Sequence, residues 1–539
     1  MQKTLRTRLS VVQETLRTAL SVVQEILRTA LSVVQETLRT RLSVVQETLR
    51  TRLSVATNMK ILLWYRNDLR IHDHEALFKA SEKTSEVIPV YIFDPRIFQE
   101  HHLGFAKTGE LRRQFLIESV QNLRENLQKI NSNLIVRMGF PEDIIPALAK
   151  EIQADEVYTS EEITQEEIDV DSVVEAQLKA DGRKIKFFWQ STLYHIDDLP
   201  MDVENLPDIF TQFRNKVERN AKIRPVFKTP TNLIFKETIG LVEIPSLPQN
   251  TNTIFKGGED EGINRLNDYF WEKDLLKVYK ETRNEMLGLD YSSKFSLWLA
   301  NGCISPRYIY EEIKKYEAER TQNESTYWLI FELLWRDYFR FVAMKFGNKI
   351  FYKSGLKGNP TQPSPKGRAI DIKSPPSRGG LGGVFPIFEK WRLGETGVPL
   401  IDANMKELLA TGFMSNRGRQ NVASFLVKDL QIDWRWGAAW FESQLIDYDV
   451  CSNWGNWLYV AGVGNDPREN RYFNILKQAT NYDGKGEYVK YWLPELSEVP
   501  NEKIHLVGLL SNEEQKKFGV RLGVDYPNPI VDVKKWIKG

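Results

Sequence analysis

The chain has 539 residues, 42% apolar and 27% charged, with 73 Lys and Arg against 72 Asp and Glu. This is the composition of a globular protein of two or three domains, and without any run of about eighteen uninterrupted apolar residues it excludes disordered, collagenous and membrane-spanning classes. The balanced charge excludes a global field, so a nucleic-acid partner needs a local basic patch, while two cysteines, Cys303 and Cys451, argue against a disulfide framework and for a reducing, cytoplasmic setting.

Residues 4–55 repeat an eleven-residue unit, TLRTRLSVVQE, with Leu5, Leu9, Val12, Leu16, Leu20 and Val23 on one stripe. That pattern predicts an amphipathic helix that would coil slightly right-handed if it paired. It is read either as an oligomerisation or membrane-surface helix, or as a repeated DNA element translated ahead of a start at Met59. The near-identity of the copies favours the second, because a helix under packing selection tolerates drift. Residues 1–58 are therefore expected to stand outside the fold. The glutamate in each full repeat argues against a transit peptide.

From Met59 the pattern changes. KILLWYR, EVIPVYIFD, NLIVRMG, EVYTS and KIKFFW read as short apolar strands, separated by helical stretches such as ELRRQFLIESVQNLRENLQK. The alternation predicts a parallel α/β sheet over 59–189, and no GxGxxG follows the first strand to signal a dinucleotide site. Residues 190–255, rich in Pro and polar side chains, are expected to be a long surface connection. Beyond 256 strand signals stop, and STYWLIFELLWRDYFRFVAMKF (325–346) and GRQNVASFLVKDL (418–430) predict an all-α domain to residue 539. Within it, 359–383 is Pro/Gly/Ser-rich without periodicity and reads as a disordered insertion.

Twelve of the fourteen tryptophans follow residue 255, and no histidine falls between 196 and 504. A histidine-dependent catalyst or zinc site in that half is excluded by inventory. Glu332 in ELLWR sits on a helix apolar on almost every side. It is read as an i,i+4 partner of Arg336 or, with Trp335 on the same face, as a buried carboxyl that hydrogen-bonds a flat polar ligand. Ser292, Ser293 and Ser296, with Lys294 among them, are either N-caps or a phosphate cradle. In SNRGRQN, Asn416, Arg417 and Arg419 make a solvated basic face, or else one arginine meets a carboxylate and another a phosphate. The stretch LIDYDVCSNWGNW (445–457) carries Asp447, Asp449, Asn453 and Trp457, just after DWRWGAAW with Trp434, Trp436 and Trp440. An acid/base pair or a hard metal leaves the asparagine and indoles unexplained. A tricyclic cofactor explains more: a carboxylate accepts from a ring N–H, an amide faces a redox-active nitrogen, and indoles exchange electrons. Flavin fits that description.

LLWYRNDLRIHDHEAL, PDIFTQFR (207–214), SSKFSLWLANGCISPR, ELLWRDYFRF, TGFMSNRGRQNVASFL and DWRWGAAWFESQLIDYDVCSNWGNW together resemble the photolyase/cryptochrome flavoproteins, in their cryptochrome DASH branch. The resemblance runs from Met59 to the C-terminal region, broken only by the insertion. It implies an α/β antenna domain with a parallel, Rossmann-like sheet, an all-α FAD-binding domain, and light-driven electron transfer to a cyclobutane pyrimidine dimer. The implied partner is dimer-containing DNA, single-stranded by preference, with RNA as a further candidate. The chain is expected to act as a monomer without a membrane partner.

By position, the resemblance assigns Tyr279, Ser292, Ser293, Lys294, Phe295 and Ser296 to the FAD phosphates and their surroundings. It pairs Arg419 with Asp447, sets Asp449 at the isoalloxazine edge, and faces Asn453 to N5. Glu332, Trp335, Asn416 and Arg417 would line the lesion pocket, and Glu118 in FLIESV would contact a folate antenna, 5,10-methenyltetrahydrofolate. Tyr459 and Gln420 stand where double-strand dimer photolyases carry tryptophan and methionine, which implies a smaller, more polar pocket. The missing histidine speaks against (6-4) photoproduct repair. Trp457 and Trp434 match the inner members of the chain that reduces the flavin, but near the outer position only Phe385 and Phe388 occur, with Trp391 further on. The rival reading is a blue-light photoreceptor that keeps fold and flavin without physiological repair.

Overall fold

The computed structural model describes residues 59–235, 244–246, 253–357, 384–466 and 472–537, together with part of the N-terminal repeat. The expected insertion at 359–383 lies outside the described residues. The chain divides into two units, Met1–Met59 and Lys60–Gly539. In the first, residues 20–25 and 34–43 are helical. Leu20, Val23, Leu27, Leu31, Val34, Leu38 and Leu42 are all more than half exposed, so among the described residues of this unit nothing covers the stripe.

In the second unit, strands β1 (Lys60–Tyr65), β2 (Glu86–Phe93), β3 (Ile135–Met138), β4 (Glu156–Ser160) and β5 (Lys184–Phe188) match the five apolar runs and form one sheet in the order β3-β2-β1-β4-β5. All pairings are parallel, with Leu62 opposite Ile88 on one side and Val157 on the other. The runs read as continuously apolar because helices cover both faces of a parallel sheet. Helices α1 (Glu75–Lys83), α2 (Glu110–Lys129), α3 (Pro141–Glu151) and α4 (Gln165–Ala180) supply those covers. Leu62, Val90, Ile135, Ile145, Leu148 and Val157 share one core.

The loop after β1 carries RNDLRIHDH, and its charges turn outward from the sheet to the helical domain. Buried Asp73 accepts from Arg307 Nη2 at 2.7 Å and Nε at 3.0 Å. Glu259 accepts from the Ile71 and His72 amides at 2.9 and 3.0 Å, and Arg70 donates to the Gly302 carbonyl at 2.9 Å. Buried charges persist only when paired this completely, so the seam fixes the two domains against each other.

The connection after 190 is more structured than its composition suggests. It holds α5 (Phe210–Asn220), whose Phe210, Phe213 and Val217 are buried. Upstream of it, Asp337 accepts the amides of Leu193 and Tyr194, each at 2.9 Å. The apolar spacing at 210, 213 and 217 is a helical face that the flanking prolines obscured. The helical domain then runs through α6 (Glu259–Asn267), α7 (Pro306–Glu319), α8 (Glu324–Phe346), α9 (Val384–Leu393), α10 (Pro399–Thr411), α11 (Asn416–Ser424), α12 (Trp434–Gln444) and α13 (Val450–Ala461). Asn323 starts α8 with a reciprocal capping box, which lets 23 residues run unbroken through the domain centre.

Candidate flavin and lesion site

Helix α8 presents Glu332 and Trp335 one turn apart. The local Glu332–Arg336 pair does not form: Arg336 donates to the carbonyls of Ser191 and Leu299, the latter at 3.1 Å. Glu332 Oε1 instead meets Arg283 Nη2 at 2.9 Å, and its side chain stays 28% exposed, so α8 is not buried all round. The carboxyl still lies deep in protein, and burial pushes its pKa upward against the pull of Arg283. The Trp335 ring lies edge-to-face with Tyr459 at 5.9 Å.

Arg417, in the first turn of α11, donates to Gln420 Oε1 at 3.0 Å and to Asn284 Oδ1 at 3.2 Å. Asn284 follows Arg283, so one continuous rim joins Arg417, Gln420, Arg283, Glu332, Trp335 and Tyr459. Asn416 is exposed at the start of α11.

Behind this rim, Arg265 tethers the serine segment. It donates to the carbonyls of Ser292 at 3.0 Å and Ser293 at 3.2 Å and pairs with Asp290 at 2.9 Å. The serines do not cap the short helix Ser296–Ala300, whose N-cap position falls on Phe295 without a side-chain bond. The turn is set instead by Lys294 at φ +62°. A left-handed backbone at a residue with a side chain costs on the order of 1 kcal/mol, and such strain concentrates at binding segments. Here it buries Lys294, with Nζ 3.3 Å from the centroid of Tyr291 and 4.4 Å from that of Phe413. Burial pulls this ammonium well below its ordinary range, with Glu407, Arg265, Arg419 and Asp447 the nearest charges.

Arg419 and Asp447 are paired: Nη2 reaches the two carboxylate oxygens at 2.8 and 3.0 Å, and Nε donates to the Met414 carbonyl at 2.9 Å. Asp449 caps α13, accepting from the Ser452 amide at 2.8 Å, and is gripped by Arg340. Burial alone would raise its pKa, but Arg340 and Arg336 hold the carboxyl below the usual carboxylate value. Asn453 sits one turn on, its amide donating to the Ala438 carbonyl at 3.1 Å. Tyr279 is buried near Glu332 with Arg283 over its ring.

Does a flavin dinucleotide fit these residues? Among the described residues, the buried Tyr291 Oη, Asn404 Oδ1 and both polar ends of Asn421 lack hydrogen-bond partners. Such orphans in a protein interior call for a polar occupant. Lys294 and Arg419 both lie against the Phe413 ring, at 4.4 and 5.2 Å from its centroid, and Arg265 holds the backbone of Ser292 and Ser293, so cationic side chains flank the serine segment where a diphosphate would sit. Gly418 leaves the backbone close to Asn404, since a Cβ there would come 1.9 Å from Oδ1. The donor set matches the group.

Each of the indoles assigned to electron transfer has its own aromatic neighbours. Trp457 has Trp391 at 6.4 Å and Phe441 at 5.1 Å, whereas Trp434 packs on Trp454 at 5.6 Å. Phe385 and Phe388 both lie against Trp436. Glu118, on α2, accepts from the Gln114 amide at 2.9 Å and the Gly257 N–H at 2.7 Å.

Residues 61–231 match the family model described as DNA photolyase, and 328–538 match the FAD binding domain of DNA photolyase. A cryptochrome DASH of Synechocystis sp. is 54% identical over 484 residues, covering 88% of this chain and 95% of that protein. The chain belongs to the cryptochrome DASH family. A Xenopus laevis cryptochrome DASH is 49% identical, with 88% of this chain and 90% of that one covered. The crystal structure of a Synechocystis cryptochrome superposes with a TM-score of 0.81 at 52% identity, covering 89% of this chain and 98% of its own. A class III photolyase from Agrobacterium tumefaciens superposes with 0.75 at 28% identity, covering 89% and 96%. The cofactor is FAD. No helix among the described residues is long and apolar enough to cross a membrane.

Sequence reasoning missed Arg283, Arg340 and Phe210. Arg340 had a readable signal, because with Arg336 it forms an i,i+4 basic row on α8. Arg283 had none, since its partner lies on a different helix.

Proposed function

We propose that the chain is a blue-light-driven, FAD-dependent photolyase that splits cyclobutane pyrimidine dimers in DNA, preferentially in single strands. The observation that carries this reading is the rim itself. An apolar wall of Trp335 and Tyr459 stands one helical turn from a half-buried acid, Glu332, which pairs with Arg283, while Arg417 reaches the neighbouring Asn284. Asn453 lies less than two turns from Tyr459 along the same helix, and Asp449 caps the N-terminus of that helix.

The serine segment, Lys294 and Arg419 would hold the FAD phosphates; Asp449 would accept from the ring edge and Asn453 would face N5. Bound and reduced, FAD supplies the photoexcited electron. The protein's own part is positional and electrostatic. Trp335 and Tyr459 stack the flipped dimer and exclude water. Arg283 and Arg417 meet the flanking phosphates. Glu332, whose carboxyl burial pushes upward against the pull of Arg283, would hydrogen-bond the dimer's carbonyl edge as negative charge develops there. Tyr459 and Gln420 leave a small, polar pocket that recovers little of the cost of unstacking a duplex, so the single strand is the favoured substrate. Folate at Glu118, where Gln114 and Gly257 orient the carboxylate, would serve as the antenna.

The test is repair of a thymine dimer in single-stranded and duplex oligonucleotides by the reduced protein, with and without blue light. Light-dependent repair in the single strand, cut at least tenfold by Glu332→Ala with flavin content intact, is the expected result. Retained flavin with neither substrate repaired would overturn it in favour of a photoreceptor without repair.

A further inference from the structure

We infer that Phe210, on the connection between the domains, is a positioning residue that sets the plane of Trp335 and thereby the chain's preference for a dimer over undamaged bases. The inference rests on the photolyase reading of the rim. Phe210 lies 3.8 Å from Trp335, centroid to centroid, with the rings 11° from parallel. Its own ring is boxed in: Phe331 meets it edge-on at 5.2 Å and 85°, and Tyr338 at 5.6 Å and 69°. The backbone that delivers it is fastened to α8. Tyr338 Oη donates to the carbonyls of Pro207 at 3.1 Å and Asp208 at 2.6 Å, and Lys345 donates to Leu206 at 2.7 Å.

The indole is therefore held flat against Phe210 and edge-on to Tyr459, which fixes its orientation before any ligand arrives. A wall with a preset plane selects the ligand whose shape matches that plane, and it spares the ordering cost of a free side chain on binding. Undamaged single-stranded bases adapt to a loose wall, so the fixed indole matters most for the rigid, bent dimer.

The experiment measures dark binding of the flavin-loaded chain to a thymine-dimer oligonucleotide and to its undamaged counterpart, for the wild type and for Phe210→Ala, Phe210→Leu and Phe210→Tyr. Flavin content and melting temperature are followed alongside. Ala and Leu are expected to reduce the dimer preference about three- to tenfold, the worth of one stacked aromatic pair, with affinity for undamaged DNA unchanged. Tyr, which keeps the ring, should restore the preference. Leu is the discriminating variant, because it fills the space without providing a plane. A wild-type preference that Leu leaves intact, or a parallel loss on both oligonucleotides, overturns the inference and leaves the photolyase reading standing. A wild type without any preference overturns that reading and this inference with it.

Discussion

Replacing Arg419 with leucine tests the electrostatic centre of the flavin site. The Asp447 side chain is 2% exposed and its carboxylate is taken by Arg419 alone among the described side chains, while Arg419 itself is 25% exposed. Removing one partner of a buried ion pair strands the other, at about 3–5 kcal/mol. Because water reaches a quarter of the arginine, we expect about 2–4 kcal/mol. Arg419→Leu also loses the contact with Met414 and the cover over Phe413, so the pair is isolated by adding Asp447→Asn. The double variant carries the same packing losses without the stranded charge and should be the more stable of the two. Denaturant unfolding, with released flavin fluorescence as a second probe, measures both. A single variant that loses less than about 1 kcal/mol, or a double variant no more stable than the single, would refute the reasoning.

Three further outcomes are expected. Glu407, on α10, is held by the Tyr488 hydroxyl at 2.6 Å, and its carboxyl is pushed up to about 7 by burial, with Tyr488, Lys294 and Arg419 opposing. A raised acid stabilises the fold below its unfolded pKa and loses that contribution as pH rises through about 7, so wild-type stability should fall between pH 5 and 8 more steeply than that of Glu407→Gln; equal slopes would refute the assignment. Trp391→Phe should slow blue-light reduction of the flavin, followed by its absorbance, while repair by chemically reduced protein continues; an unchanged rate would place the donor elsewhere. Deleting residues 1–58 should alter neither flavin content nor repair, and loss of either would give the repeat a role.

What the sequence determined by itself was local. Uninterrupted apolar runs such as ILLWY specified strands covered on both faces, and the apolar row of 325–346 specified the central helix, because each residue's burial is written into its own spacing. The clustering of Asp447, Asp449, Asn453 and Trp457 was legible for the same reason: one loop and one helix carry them all. The Arg419–Asp447 pairing came from resemblance to relatives, since nothing in the spacing of either segment names the other. Only the tertiary structure decided that Glu332 takes Arg283 rather than the nearer Arg336, that Trp457 meets Trp391, and that Phe210 reaches Trp335. Periodicity reports which face of an element is buried. Which distant side chain lies opposite that face depends on how helices pack and where the connection between domains is fastened, and no local pattern contains that information.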